Sequence, residues 1–276
     1  MSLKRIRNVN EVVELYNSTT KEGSLFIFRG VSCEAYPLFP RIEWDEKANK
    51  AAEQGNFNDF KKSLENQGYF KQDFIHNDFR TLGLAQHYQR FPTRLLDWTS
   101  CILIALYFVC KNKKKHNQDG AIWCFPLPLD SNDSIWLTPR EESVMSPFNL
   151  DQFKIFICGS FIDDFKMRLP KKDGRKAFGN SRDIKQQSIM TLHPKNKAGK
   201  FGNLEDLKQK YGLEKILVPK GCKKTILNDL SKDPWRITRN TLFYGVSARA
   251  LKSKDILSDI VAKNLKVYDR RALINL

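Results

Sequence analysis

The chain has 276 residues, of which 41% are apolar, and its 47 Lys and Arg outnumber its 31 Asp and Glu to give a formal net charge of +16. This apolar share is sufficient for a sizeable core, so global disorder is not expected. The sequence contains no run of about 18 apolar residues, so no membrane-spanning helix is predicted. The positive charge favours an anionic partner, such as a nucleotide, a nucleic acid or an acidic protein.

The six cysteines occur without any CxxC pair, and three of them lie inside apolar segments. Cysteine in such a segment behaves as a small hydrophobic residue, which is typical of a reducing compartment. The start MSLKRIRNVNEVV is basic and lacks the apolar region of a secretory signal. We therefore expect a cytoplasmic protein with no membrane partner, and the sequence leaves its oligomeric state open.

The N-terminal segment predicts a helix followed by a strand. Apolar residues recur at helical spacing over 9–17, and the apolar run LFIFRG follows at 25–30. That run ends on Arg29 and Gly30, which predicts a central strand that brings Arg29 to the end of a sheet. A functional cleft often opens at such a place.

A long helical block comes next. The charged stretch 43–67 and the aromatic stretch 69–79 predict two helices, and 81–89 predicts a third with His87 near its end. The turn 91–94 (FPTR) follows, because Pro92 cannot continue a helix. The apolar stretch 100–110 predicts a buried helix capped by Asp97, Thr99 or Ser100.

The second half predicts strands with a helical end. The strand candidates are 121–127, 153–158, 184–192 and 213–219, the loops are 130–150, 171–182 and 194–203, and the final helices are 222–231 and 237–260. This order predicts an α+β fold with a mixed or split β-sheet, a large helical insertion and a helical C-terminal tail. We expect one domain over residues 1–276, with its core at about 20–245.

Common enzyme motifs are missing from the sequence. It contains no GxGxxG, GxxxxGK[ST], HExxH or GxSxG motif, and its four histidines are scattered without metal-ligand spacing. A Rossmann or P-loop enzyme is therefore disfavoured, and no metal site is predicted.

Two blocks stand out instead: FRG at 28–30 and LAQHYQRFPTRLLDWTS at 84–100, followed by ALYF at 105–108, DGAIW at 119–123 and RDIKQQS at 182–188. In these blocks the chain resembles the FRG domain, a bacterial family. The family usually has Gly where this chain has Ser188. The resemblance implies a toxin or phage-defence setting, because such domains occur among proteins suspected of those roles.

The order of these blocks is also similar, more weakly, to ADP-ribosyltransferases with an Arg-Ser-Glu arrangement. By that analogy Arg29 binds a phosphate or ribose of NAD as substrate, Thr99 and Ser100 support the nicotinamide pocket, and Gln186 or Gln187 stands in the place of the glutamate. Of the two, Gln187 is slightly favoured because of its place in the RDIKQQS segment. A Gln amide can orient groups but cannot act as a general base, so the base would be His87 or Asp97.

Each candidate residue also has a purely structural interpretation. Arg29 could form a buried ion pair with Asp97 or another acid. Arg94 is predicted to bind the ligand in the same cleft or to pair internally with Asp97 three residues away. His87 and Trp98 could bind a ligand, Trp98 by stacking, or could simply be core residues.

Two hypotheses therefore remain. The first is an NAD- or nucleotide-handling enzyme similar to ADP-ribosyltransferases. The second is a non-catalytic module that binds nucleic acid or nucleotide through four basic loops, at 111–115, 171–176, 195–200 and 220–224. Solvated loop lysines are the plain alternative for those loops.

Overall fold

The structure is a computed structural model, and it describes residues 4–19, 25–44, 49–67, 76–87, 91–127, 145–150, 153–157 and 186–243. The helices of these residues are α1 (Val9–Thr19), α2 (Arg41–Trp44), α3 (Glu53–Gln67), α4 (Asp78–His87), α5 (Ile102–Cys110), α6 (Lys208–Tyr211), α7 (Lys223–Ser231) and α8 (Arg239–Phe243). The strands are β1 (Leu25–Val31), β2 (Leu95–Thr99), β3 (Gly120–Leu127), β4 (Lys154–Ile157), β5 (Ser188–Leu192) and β6 (Glu214–Val218). The α+β prediction is confirmed. Within the described part of the chain, no helix has the length and apolar character needed to cross a membrane.

The strands form one six-stranded sheet in the order β4-β5-β2-β1-β3-β6, with antiparallel neighbours. Strand β1 pairs with β3 along its whole length, from Leu25 to Val31. In contrast, β1 pairs with β2 at Phe28 opposite Thr99, close to one end of the shared edge. The sheet therefore consists of two well-paired halves, β6-β3-β1 and β2-β5-β4, that separate beyond this contact.

Helices cover one face of the sheet. Phe28 of β1 and Ile122 of β3 belong to a core that includes the apolar side chains of α1, α5 and α7. Helix α5 is buried on almost all sides, which explains why its sequence is apolar all round. On the other half of the sheet, Phe57 of α3 and Leu82 of α4 pack with Met190 of β5.

The opposite face carries a second core. Ile27, Trp98, Trp123 and Phe125 pack there with side chains from the segment 201–213, including Leu204. Because neighbouring residues of a strand point to opposite faces, Arg29 lies on this second face between Ile27 and Val31. Its neighbour Phe28 belongs to the helical face.

Most predicted elements are confirmed with shifted ends. The helices at 9–17, 81–89 and 222–231 and the strands at 25–30, 121–127, 153–158 and 213–219 all appear in the structure. The strand predicted at 184–192 begins only at Ser188. The C-terminal helix is described only as Arg239–Phe243, and residues 244–276, most of 69–79 and the loop 171–182 lie outside the described residues.

The prediction of a cap for α5 was wrong. Asp97 and Thr99 belong to strand β2, and Cys101 occupies the N-cap position without a side-chain cap bond. The hydroxyl of Thr99 instead accepts a hydrogen bond from the Cys101 backbone N–H, at 3.1 Å. Pairing with β5 over the whole length of LLDWT makes this segment a strand, and an isolated sequence window does not contain that information.

Candidate functional site

The Phe-Arg-Gly segment places three consecutive residues in three different environments. Phe28 is buried under the helices, whereas Arg29 points to the opposite face. Gly30 lies directly beneath α5, where a Cβ atom would be 1.8 Å from the backbone oxygen of Ala105. Phe28 therefore packs in the core, Arg29 carries a positive charge on the other face, and Gly30 lets the helix approach the strand closely.

A cavity of about 320 Å³ opens where β1 and β2 separate. Residues 28–32 form one wall and residues 95–99 form the other, and Gln86 and His87 from the end of α4 also line the cavity. A cavity of this size holds a small ligand or part of a larger one. We call it the cleft.

Arg29 spans the opening of the cleft. Its Nη1 donates a hydrogen bond of 2.6 Å to the backbone oxygen of Asp97, a carbonyl that faces the gap between the two strands. The Arg29 side chain is only partly buried, but its Nε is shielded from solvent and has no hydrogen-bond partner among the described residues. Burial lowers the pKa of the guanidinium, and the nearby Asp97 carboxylate partly offsets that fall.

The Asp97 carboxylate is held from one side. Its Oδ2 accepts a hydrogen bond of 2.9 Å from Nε2 of Gln86, whose Oε1 accepts one of 2.6 Å from the hydroxyl of Thr93. The other oxygen, Oδ1, is buried and lacks a hydrogen-bond partner within the described structure. The expected ion pair between the Arg29 and Asp97 side chains is therefore not formed by a direct hydrogen bond among the described residues. The guanidinium bonds to the Asp97 backbone oxygen, and each side chain has one buried polar atom without a partner in this part of the chain.

His87 is the last residue of α4 and lines the same cleft with its side chain buried. The lining of the cleft therefore includes Arg29, His87 and Asp97. Trp98 and Thr99 also line the cleft. Both are buried, and Trp98 packs edge-on against Phe125 with its centroid at 5.8 Å.

Arg94 lies elsewhere and is fully bonded. Its Nη2 and Nε are 2.8 and 3.0 Å from Oε2 of Glu53, its backbone N–H donates to Oε1 of Glu53 at 2.8 Å, and its Nη1 donates to the Pro147 oxygen at 3.0 Å. The side chains of Arg94 and Glu53 are 4% and 1% exposed. The expected pairing with Asp97 was wrong, since Arg94 pairs with Glu53, and Arg94 does not line the cleft.

The sequence analysis favoured Gln187 over Gln186 as the cleft residue, and the structure places them the other way round. Gln186 lines the cleft and donates to the Leu242 oxygen at 3.3 Å. Gln187 has a φ of 47°, so the chain turns there before β5 begins. Its side-chain oxygen accepts a hydrogen bond of 2.9 Å from Ser100, and neither of these two residues lines the cleft.

Sequence reasoning missed several residues of this region. Gln86 stands inside the AQHY block, which was the available indication of its role. Tyr36, Arg41 and Trp44 also line the cleft, and Tyr36 stacks on Trp44 with ring centroids 5.9 Å apart. Their segment contains no motif, so only the tertiary structure connects them with Arg29.

A buried histidine behind the cleft was also missed. Nδ1 of His193 is 3.0 Å from the Gly202 oxygen and therefore carries the proton, so Nε2 accepts from the Thr191 hydroxyl at 3.2 Å. That hydroxyl in turn accepts from Nε1 of Trp98 at 3.0 Å. Burial lowers the pKa of His193 to about 4, so the chain of bonds contains a neutral imidazole that fixes the Trp98 ring.

The comparisons with known proteins cover part of the chain. Residues 24–118 match the family model of the FRG domain. Neither the curated proteins nor the solved structures contain a match. The matched range includes both walls of the cleft, together with Gln86 and His87.

Proposed function

We propose, for a chain that carries an FRG domain, that the cleft is a nucleotide-handling site with NAD as its first candidate substrate, in the manner of ADP-ribosyltransferases. One observation carries the proposal. Nε of Arg29 and Oδ1 of Asp97 are both buried in residues that line the cleft, and neither has a hydrogen-bond partner among the described residues. Buried polar atoms are nearly always paired, so an unpaired donor and an unpaired acceptor on one cleft support a ligand that satisfies both.

The two atoms suit different parts of a nucleotide. A guanidinium N–H donates well to a phosphate oxygen, and a carboxylate oxygen accepts a hydrogen bond from a ribose hydroxyl. The stacked rings of Tyr36 and Trp44 line the same cleft and suit a planar base. These three kinds of contact together favour a nucleotide over a simple anion.

The proposed chemistry assigns the base role to Asp97 rather than to a glutamine. Cleavage of NAD breaks the bond between the ribose carbon and the nicotinamide nitrogen, and nicotinamide leaves with the bonding electron pair. A new bond then forms from that carbon to an oxygen of water or of an acceptor hydroxyl, whose proton passes to Asp97. His87 is the alternative proton acceptor, because it lines the same cleft.

The test measures binding and turnover separately. We expect NAD to raise the unfolding temperature of the wild-type protein, and nicotinamide release to be detected by chromatography. The variant Arg29→Lys loses the planar donor set and is expected to bind NAD at least about tenfold more weakly, the effect of one strong charged hydrogen bond. The variant Asp97→Asn is expected to bind NAD and to release nicotinamide at least about 100-fold more slowly, the usual effect of losing a general base.

Two exposed residues provide matched controls, because Arg5→Lys and Asp59→Asn make the same chemical changes away from the cleft. Both controls are expected to keep the wild-type behaviour. If the folded wild-type protein bound neither NAD, ADP-ribose nor AMP, the nucleotide site would be rejected. Binding of NAD without nicotinamide release would reject the catalytic part and leave a binding module.

A toxin or phage-defence setting belongs to the same proposal. Loss of NAD stops bacterial growth, so expression of the wild-type chain in a bacterial host is expected to arrest growth, whereas Asp97→Asn expressed at the same level is not. Equal growth of the two strains, with equal amounts of folded protein, would contradict this setting.

A further inference from the structure

Two of the basic loops meet on one surface although they are about a hundred residues apart in the chain. The Nζ of Lys223 is buried and donates to the Lys115 oxygen at 3.0 Å and to the Ser32 oxygen at 2.7 Å. The backbone N–H of Lys220 donates to Oδ1 of Asp119 at 2.8 Å. A buried lysine therefore fastens loop 220–224 to loop 111–115, instead of adding its charge to the surface.

Besides Lys111, which lines the cleft, four other lysines of these loops remain exposed. They are Lys113, Lys114, Lys220 and Lys224, which we call the basic platform. In the part of the chain that the structure describes, none of the four forms an ion pair. Asp119 is an acid beside them, and one of its carboxylate oxygens accepts a hydrogen bond from the Lys220 backbone N–H. Because Lys223 holds the two loops together, the four ammonium groups lie on one surface. Such a surface favours a ligand with several negative charges.

Aromatic rings continue from the basic platform towards the mouth of the cleft. The Nζ of Lys115 lies 5.7 Å from the centre of the Tyr36 ring. Tyr36 stacks on Trp44 with an interplanar angle of 28°, and Trp44 is 50% exposed. A large apolar ring that remains half exposed, next to a ring in contact with a lysine of the 111–115 loop, is a surface on which a further planar group can stack.

We infer that this surface binds single-stranded nucleic acid, with phosphates on the basic platform and an unpaired base stacked on Trp44. Lysines alone would serve any polyanion, and the exposed ring is the feature that selects a strand with free bases. A double helix cannot present such a base without unstacking it. The phosphate contacts do not depend on the nucleotide proposed for the cleft, since no residue of the basic platform lines the cleft, whereas the ring of Trp44 lines it and is shared by the two proposals.

The experiment measures the fluorescence anisotropy of a labelled single-stranded oligonucleotide over a range of salt concentrations. We compare the wild-type chain with the triple variant Lys113→Gln, Lys114→Gln, Lys220→Gln. Loss of three phosphate contacts is expected to reduce the slope of log K against log salt by about 2. The matched control is Lys62→Gln, Lys197→Gln, Lys200→Gln, which removes the same charge from exposed positions elsewhere and is expected to keep most of the wild-type slope.

The ring is tested by Trp44→Ala, which is expected to weaken single-strand binding about tenfold, whereas Trp44→Phe retains most of the affinity because it still stacks. A duplex of the same sequence is expected to bind more weakly than the single strand. Equal slopes for the two triple variants, no effect of Trp44→Ala, equal affinity for the duplex, or equal affinity for heparin or polyglutamate would each overturn the inference. Thermal shift with NAD on the same triple variant reports on the cleft independently, so failure of one proposal is distinguishable from failure of the other.

Discussion

At the scale of single residues, two arginines show how the surroundings divide one side-chain type between structure and function. Arg94 is enclosed by a carboxylate, a backbone oxygen and two rings, those of Phe148 and Phe201, at 4.9 and 5.4 Å. Among the described residues, Arg29 donates one hydrogen bond and keeps a buried donor without a partner. An arginine whose side-chain nitrogens all have hydrogen-bond partners holds segments together. An arginine that lines a cavity and has a donor without a partner can still bind a ligand.

The buried pair of Arg94 and Glu53 gives the first stability prediction. Glu53→Ala leaves the guanidinium buried without its carboxylate, and we expect the free energy of unfolding to fall by about 3–5 kcal/mol. Urea denaturation measures this change. The control Glu65→Ala, on the exposed side of the same helix, is expected to change stability by less than about 0.5 kcal/mol. Similar small changes in both variants would show that the pair does not hold α3 to the segment that leads into β2.

His193 predicts a dependence of stability on pH. Its pKa is about 4 in the folded protein and about 6.5 in the unfolded chain. The unfolded state therefore binds the extra proton first, so stability is complete above pH 6.5 and is lost as the pH falls towards 4. The lost part amounts to about 3 kcal/mol.

Urea denaturation at several pH values measures this fall. His193→Gln is expected to remove most of the fall between pH 6.5 and 4. The exposed His76→Gln is expected to keep it. Identical pH profiles for the wild-type chain and His193→Gln would contradict the assignment.

At the scale of elements, the contact between β1 and α5 explains why the Phe-Arg-Gly order matters. Phe28 fills the core beneath the helices, Gly30 lets the backbone of α5 approach the strand, and the residue between them must point to the other face. The close approach of α5 thus fixes the position of β1 beside the cleft. The position of Arg29 depends on both neighbours.

Two glycine substitutions test this contact. Gly30→Ala places a Cβ against a backbone oxygen of α5 that no side-chain rotation can move, so we expect a loss of about 3 kcal/mol or more in unfolding free energy. Gly55→Ala meets no atom within 4 Å on helix α3, and it is expected to add up to about 1 kcal/mol through helix propensity. Equal effects of the two changes in urea denaturation would contradict the proposed role of Gly30.

At the scale of the whole molecule, the split of the sheet creates the cleft. Within the halves β6-β3-β1 and β2-β5-β4 neighbouring strands pair over four to seven residues, whereas the halves join at Phe28 opposite Thr99. Helices cover one face of both halves, so the gap remains open between the strands rather than collapsing. Part of the positive charge lies near this opening, because Lys111 lines the cleft and the Nζ of Lys115 lies 5.7 Å from the centre of the Tyr36 ring, which also lines it.

The sequence alone determined the elements with strong local patterns and the residues with unusual motifs. The run LFIFRG predicted β1, the apolar stretch after residue 100 predicted α5, and the PTRLLDWT block brought Asp97 into the candidate site. Periodicity and residue type are local properties, so they can be recognised without a fold.

Only the tertiary structure decided which partners these residues have. It assigned Arg94 to Glu53, turned Gln187 out of the cleft with a positive φ, and brought Gln186, Gln86 and Tyr36 to the cleft. It also joined the two basic loops through Lys223. Strand pairing and ion pairs link residues that are far apart in the chain, and the choice among competing partners depends on burial and packing that no short stretch of sequence contains.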